Sequence, residues 1–209
     1  MKFNLVDNVD ELHKAEAVLA TADPILGKLI ESQKLVPRKP RSDYFASLCS
    51  SIISQQVSVA AARAIYTRFE SITKLDPEIV IGMSDEQVKE VGLSRQKTSY
   101  IKDLAGHFHA NPEIYNHLET QDDEAVIEEL TAVKGIGRWT AQMFLMFTLA
   151  RPDIFAPDDI GLQRAMKELY GWENVPPKKE LEATAEKWSP YRSIASLHLW
   201  QSLNNEPVS

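Results

Sequence analysis

The sequence predicts an all-α fold for this chain of 209 residues. Apolar residues recur at three- and four-residue intervals along much of it, the spacing of one helix face. The breaks between those stretches carry helix-start chemistry: Ser and Asp caps, first-turn prolines and a capping box. No segment alternates apolar and polar residues in strand fashion over a useful length, and there are no repeats or low-complexity tracts.

In chain order, the first helix is expected over 9–20, with Asp7 or Asn8 as its cap. Asp23-Pro24 supplies an N-cap and a first-turn proline for a helix through 31. Residues 35–41, with two prolines and three bases, read as a linker or lobe boundary. Ser42 is the expected cap of a helix over 43–53, whose Phe45, Leu48, Ile52 and Ile53 have helical spacing. Gln55-Gln56 falls in a turn, and Ser58 caps a helix through 69. Ser84-x-x-Gln87 is a capping box for a short helix to 91, broken by Gly92-Leu93-Ser94. Helices over 95–108 and 122–130 follow. The run 138–149 is apolar almost all round and therefore expected to be central and buried. A helix opened by Asp158 and Asp159 runs to 170 and stops at Gly171. Another covers 179–187, and Ser189-Pro190 starts the last, to about 203.

Two stretches carry chemistry. The first is the glycine-spaced hairpin Val133-Lys134-Gly135-Ile136-Gly137. A short G-x-G turn between helices presents unpaired N–H groups at the positive end of the second helix, a ready anion site. Gly135 and Gly137 remove side chains where a phosphate must approach. An ordinary helical hairpin would use the same glycines for the turn alone. The second stretch is the Pro157-Asp158-Asp159 corner about twenty residues later, which sets a carboxylate at the next helix start. His107, His109 and His117 have no partner at metal-ligand spacing and read as surface residues.

Composition sets bounds. With 44% apolar and 25% charged residues, the chain has ordinary soluble globular content. Cys49 is the only cysteine, which excludes an internal disulfide and an iron–sulfur cluster held by four cysteines of this chain. No apolar run is long enough to cross a bilayer, and the first residues lack a signal-peptide core. The expected setting is reducing and intracellular. The net charge of −7 argues against DNA binding as a global average. The charge is uneven, however, with acids at Asp7, Asp10, Glu11 and over 119–129. Bases gather at Lys34, Arg38, Lys39 and Arg41, and around the hairpin at Lys134, Arg138, Arg151 and Arg164. A local basic face attracts phosphate while the far side stays acidic.

Three motifs in this order resemble the helix-hairpin-helix (HhH-GPD) DNA glycosylase superfamily, in its 3-methyladenine DNA glycosylase II branch. They are Ser54-Gln55-Gln56-Val57-Ser58-Val59-Ala60; Gly135-Ile136-Gly137-Arg138-Trp139-Thr140-Ala141 with Phe155-x-Pro157-Asp158-Asp159; and Trp188-Ser189-Pro190-Tyr191-Arg192-Ser193 with His198-Leu199-Trp200. The resemblance spans roughly residues 43–200. It implies a two-lobed fold, one lobe over 43–150 and the other over 1–42 plus 151–209, with the active site in the interlobe cleft.

The resemblance also implies a function: a monofunctional N-glycosyl hydrolase that flips alkylated purines out of double-stranded DNA and excises them. Asp159 would be the catalytic carboxylate, with Asp158 in reserve, one of the two capping the helix. Trp139, Trp200 and Tyr191 would line the base pocket, where aromatic faces favour a cationic methylated purine. Gly135, Gly137, Lys134, Arg138, Gln55, Gln56 and Ser58 would meet DNA. By position Gln56 fills the hole left by the flipped nucleotide, where the family often has a bulky apolar group. The family also commonly carries aromatics where Met143 and Ile160 stand here. Backbone carbonyls of Thr131, Val133 and Ile136 would hold a monovalent cation, Na+ or K+; no cofactor is otherwise required. The lysine that lets some relatives cleave the strand would stand where this chain has Trp139. The expected protein is a monomer with no membrane association, placed by the resemblance in the cytoplasm or nucleoid of a bacterium or archaeon or in the nucleus of a eukaryote. The competing readings are a non-catalytic helix-hairpin-helix DNA-binding module, which would not need the Asp corner, and a helical interaction protein with a purely structural hairpin.

Overall fold

The computed structural model of the protein describes residues 9–203. Every regular element among them is helical: α1 (Val9–Ala22), α2 (Pro24–Glu31), α3 (Tyr44–Ser54), α4 (Val59–Thr73), α5 (Pro77–Ile81), α6 (Asp85–Val91), α7 (Arg95–Ala110), α8 (Asp123–Thr131), α9 (Arg138–Phe147), α10 (Ile160–Tyr170), α11 (Lys178–Glu186) and α12 (Arg192–Ser202), with a 3-10 turn at Asn116–Glu119 before α8. The expected cap of α1, Asp7 or Asn8, lies outside the described residues.

The start signals act largely as the sequence implies. Asp23 caps α2 ahead of Pro24. Ser58 caps α4, and Ser84 and Gln87 form the reciprocal box of α6. Helices α7 and α8 are capped by Ser94 and Asp122, which the sequence reading places in a helix break and at the first residue of a helix. Three expectations are corrected. Asp43 rather than Ser42 caps α3, because the helix begins at Tyr44 and places the Ala46 amide 2.8 Å from the Asp43 carboxylate. Helix α5, opened by Asp76-Pro77, was not expected. The last helix starts at Arg192 instead of Ser189-Pro190, because the Ser189 hydroxyl is turned to Asp153.

The chain divides into two compact units. One takes in the described residues up to Pro40 and from Leu145 onward; the other is Arg41–Phe144, so that the boundary falls inside α9. In the first unit α1 packs on α2, α10 on α12, and α2 also touches both α10 and α12. Trp188 and Trp200 are its largest fully buried side chains. At its centre the Asp23 carboxylate, 2% exposed, receives the Tyr170 hydroxyl, the Trp188 indole N–H at 3.0 Å and the Lys187 ammonium at 2.9 Å. Burial opposes ionisation, but the bonds from Tyr170, Trp188, Lys187 and the Leu26 amide outweigh it and hold the pKa down at about 2. His198 lies fully buried between Gln33 Oε1 at 2.9 Å and Glu16 Oε1 at 3.1 Å. Burial pushes its pKa down to about 4.

In the second unit α3 packs on α4 and α7, α4 on α6, and α5 on α7. Phe45, Phe108 and Tyr115 form a ring cluster with centroids 5.2 Å apart. Cys49 lies fully buried on α3, where burial and then the charge of Asp43 push its thiol pKa well up. The burial expected along α9 holds from Thr140 onward, while Arg138 and Trp139 are exposed, because the first turn emerges from the hairpin at the surface.

Asp23→Ala leaves buried donors and an ammonium without their acceptor. The expected loss is about 3–5 kcal/mol, a Tm drop of roughly 10 °C for a chain of this size. Because the folded pKa is lowered, the contribution is fully present above the unfolded value of about 4 and is lost as pH falls through about 2. Thermal melts of wild type and variant from pH 6 down to 2 should therefore converge at the acid end. A constant gap would show that the charge of Asp23 is not what stabilises.

Candidate functional site: a buried aspartate and a glycine hairpin

The first cluster is built around Asp159, the N-cap of α10. The Ala156–Asp159 turn is closed by the Asp159 amide on the Ala156 carbonyl at 3.0 Å, and Gln163 Nε2 donates to the Pro157 carbonyl at 2.8 Å. Asp159 Oδ1 accepts the Leu162 amide at 2.7 Å and the Trp200 indole N–H at 2.9 Å. The carboxylate is therefore fixed by two donors from different helices and is 9% exposed. Gly161 makes room for this pair: a Cβ there would stand 3.0 Å from Asp159 Oδ1 and 3.2 Å from the Trp200 ring. The roles expected to be divided between two aspartates fall on one. Asp159 both caps the helix and holds the buried position, while Asp158 is exposed and paired with Lys178 at 2.6 Å.

The segment leading into this corner is stitched to the start of α12. The Ser193 hydroxyl donates to the Arg151 carbonyl at 2.7 Å and accepts the Ile154 amide at 2.9 Å, and the Ser193 amide donates to the Pro152 carbonyl at 3.0 Å. Asp153 accepts the Arg192 guanidinium at 2.8 and 2.9 Å and the Ser189 hydroxyl at 2.8 Å. Burial would raise the pKa of Asp153, but these bonds outweigh it and lower it. Five residues of the C-terminal motif thus have a structural part: Trp188 serves Asp23, Ser189, Arg192 and Ser193 hold the segment, and Trp200 holds Asp159. Trp200, expected in a base pocket, is 2% exposed and packs on Phe147 at 5.9 Å. Tyr191 is half-buried at the N-cap of α12. The sequence reading had not singled out Gly161, Asp153 or Ser193 as site-building residues. For Asp153 and Ser193 the signal is weak, because their partners lie about 40 residues away.

The second cluster lies in the other unit and surrounds a cavity of ≈ 770 Å³ lined by residues 55–57, the start of α7 and the hairpin 131–137. The hairpin closes through Val133 N–H to Leu130 O and Ile136 N–H to Val133 O, each 3.1 Å. Its two glycines differ. Gly135 has φ +82, and a Cβ there would lie 2.1 Å from the Tyr100 ring, so the fold itself demands it. Gly137 has open space around it, accepts the Ala141 amide to begin α9, and is exposed. Gln55 Nε2 donates to the Gly135 carbonyl at 2.8 Å. Gln56 is exposed with φ +56, an unusual backbone for a residue with a side chain. The Ser58 hydroxyl is engaged in capping α4. Lys134 is largely exposed, 3.4 Å from Asp103. Arg138 makes a two-pronged pair with Glu124 at 2.9 and 2.6 Å. Trp139 is 36% exposed; Ile160 is 79% exposed and Met143 7%. Thr131, Val133 and Ile136 all line the cavity.

Residues 49–190 match the description "HhH-GPD superfamily base excision DNA repair protein". The chain belongs to the HhH-GPD superfamily. The match covers both the hairpin and the Asp159 corner. DNA-3-methyladenine glycosylase 1 of Schizosaccharomyces pombe is 30% identical over 202 residues, covering 93% of this chain and 89% of the relative. The structure of the 3-methyladenine DNA glycosylase of that yeast in complex with abasic DNA superposes with a TM-score of 0.82 at 30% identity, covering 91% of this chain and 97% of that one. A DNA-3-methyladenine glycosidase structure from Bacillus halodurans gives 0.76 at 38% identity, covering 96% and 91%. No described helix of this HhH-GPD protein is long and apolar enough to cross a membrane.

The contrast between the glycines is testable. Gly137→Val should melt within a few degrees of wild type, since its Cβ meets nothing, yet bind duplex DNA about tenfold more weakly where phosphate must approach the helix end. Gly135→Ala should lose stability, because left-handed φ and the Tyr100 ring both oppose a side chain. Paired thermal melts and DNA titrations check both, and a folded Gly137→Val protein of unchanged affinity would remove the hairpin as a phosphate grip.

Proposed function

We propose that this protein is a monofunctional DNA glycosylase that flips alkylated purines out of double-stranded DNA and excises them by hydrolysis, in base excision repair. The substrates proposed are 3-methyladenine and 7-methylguanine, with hypoxanthine and ethenoadenine as further candidates. The observation that carries this reading is Asp159: a buried carboxylate at a helix start, one oxygen fixed between the Leu162 amide and the Trp200 indole. A plain DNA grip needs the hairpin but not this arrangement.

The chemistry follows from the residues. The C1′–N bond breaks with its electron pair leaving on the base, and positive charge develops on the sugar. A positioned carboxylate stabilises that charge and orients the water whose oxygen bonds C1′ and whose proton is released. A methylated purine already carries positive charge, so departure needs little acid assistance. Trp139, 36% exposed, is the aromatic that would meet such a cation. Trp200 acts by holding Asp159. The base must first leave the stack, and the hairpin around Gly137 and Lys134 holds the backbone beside it, with Gln56 entering the space vacated. A Na+ or K+ ion would be held by the carbonyls of Thr131, Val133 and Ile136. The Val133 carbonyl accepts one hydrogen bond from Ile136, and its second lone pair fits that role. When bound, the ion would help neutralise a phosphate. The protein works as a monomer.

Incubation with methylated duplex DNA and chromatography of the released bases tests the activity. Asp159→Asn should slow release by about a hundredfold or more, the usual loss for a main transition-state electrostatic contact, with duplex affinity nearly unchanged. Wild-type rates in Asp159→Asn together with loss in Asp158→Asn would move the role by one residue.

Reaction type has its own test. A lyase needs an amine that attacks C1′ and forms a Schiff base; Trp139 stands where that lysine would be, and an indole cannot do this. Borohydride added during turnover should trap no protein–DNA adduct, and the product should be an intact strand with an abasic site. A trapped adduct of the right mass would overturn the hydrolytic reading.

A further inference from the structure

The C-terminus of α3 ends in carbonyls with no helical partner, and the chain turns there through Gln55 and Gln56. The ammonium of Lys97 donates to two of those carbonyls, Ile53 O and Gln55 O, each at 2.7 Å. A cation at a helix C-terminus is favoured by both the free carbonyls and the helix dipole. Gln55 is thereby held at both ends: its carbonyl by Lys97 and its side-chain amide by the Gly135 carbonyl. One turn along the same face of α7, Tyr100 packs its ring on Gly135 and receives a hydrogen bond from Gln96 at 2.7 Å. One helix face thus buttresses the Gln56 turn and the glycine hairpin together, and both line one cavity. Gln56 keeps its left-handed backbone only while its neighbours determine it.

We propose that Lys97 is a positioning residue for base flipping: by clamping the end of α3 it sets Gln56 in register with the phosphate-holding hairpin. The inference rests on the glycosylase reading above. Lys97 is half-buried and spends its donors on two backbone carbonyls, as befits a structural ammonium rather than a solvent-exposed phosphate contact.

The test is a double-mutant cycle on the full chain, read as single-turnover base release from methylated duplex DNA. Lys97→Met should slow release about tenfold in the wild-type background but less than about twofold in a Gln56→Ala background, because a residue acting through the turn loses its effect when the turn's side chain is gone. Lys97→Arg, which still reaches carbonyls, should recover most of the rate. If Lys97→Met melts far below wild type, Gln55→Ala, which removes only the donor to the part-buried Gly135 carbonyl, should show the same non-additivity with Gln56→Ala. Equal losses in both backgrounds would overturn the proposal and make Lys97 a general scaffold or a direct phosphate contact. No effect of Gln56→Ala would overturn it as well. A wild-type protein that releases no base from this DNA would instead refute the glycosylase reading, so the two failures are distinguishable.

Discussion

A single carboxylate oxygen organises the candidate chemistry: Asp159 Oδ1, held between the Leu162 amide and the Trp200 indole. One bond starts a helix and the other crosses from α12. A buried carboxylate is costly unless hydrogen-bonded, so the surroundings are built to satisfy it. That requirement reaches outward. Glycine at 161 leaves Trp200 room to lie this close, since a Cβ there would press on both the carboxylate and the indole. The corner keeps its course only because Ser193 and the Arg192–Asp153 pair hold residues 151–154. Conformational freedom removed before substrate arrives does not have to be removed during the reaction.

The other unit solves a different problem with the same economy of parts. On the proposed reading the hairpin offers backbone amides to phosphate and so cannot bury them, which leaves its support to come from behind. Tyr100 and Gln55 supply that support to Gly135, leaving Gly137 and the first turn of α9 open. The basic residues nearby are engaged with acids, Lys134 with Asp103 and Arg138 with Glu124. Exposed pairs of this kind contribute little to stability, so they can exchange partners when a polyanion binds.

Much of the architecture was legible because it is written in local chemistry. Caps such as Asp23, Ser58 and Ser84 reach only two or three residues along the chain. Where the reading failed, the cause is specific. Asp76-Pro77 carries the same signature as Asp23-Pro24 but opens only a one-turn helix, too short to show a periodic pattern. The turn at Asn116–Glu119 has no side-chain cap at all. Trp139 and Trp200 look equivalent as aromatics, yet one faces solvent and the other spends its N–H on Asp159; nothing in the spacing says where an indole N–H will go. Gly135 and Gly137 are likewise indistinguishable in sequence. Lys97 was unreadable because its acceptors are backbone carbonyls more than 40 residues away.

Cys49 has a practical corollary. The only thiol of the chain lies fully buried on α3, and its surroundings disfavour the thiolate on which alkylation and disulfide exchange depend. An exposed cysteine introduced at a chosen surface position would then be the sole reactive handle. A fluorophore or a thiol-tethered oligonucleotide could be attached there in the folded protein without first removing the native sulfur from the core.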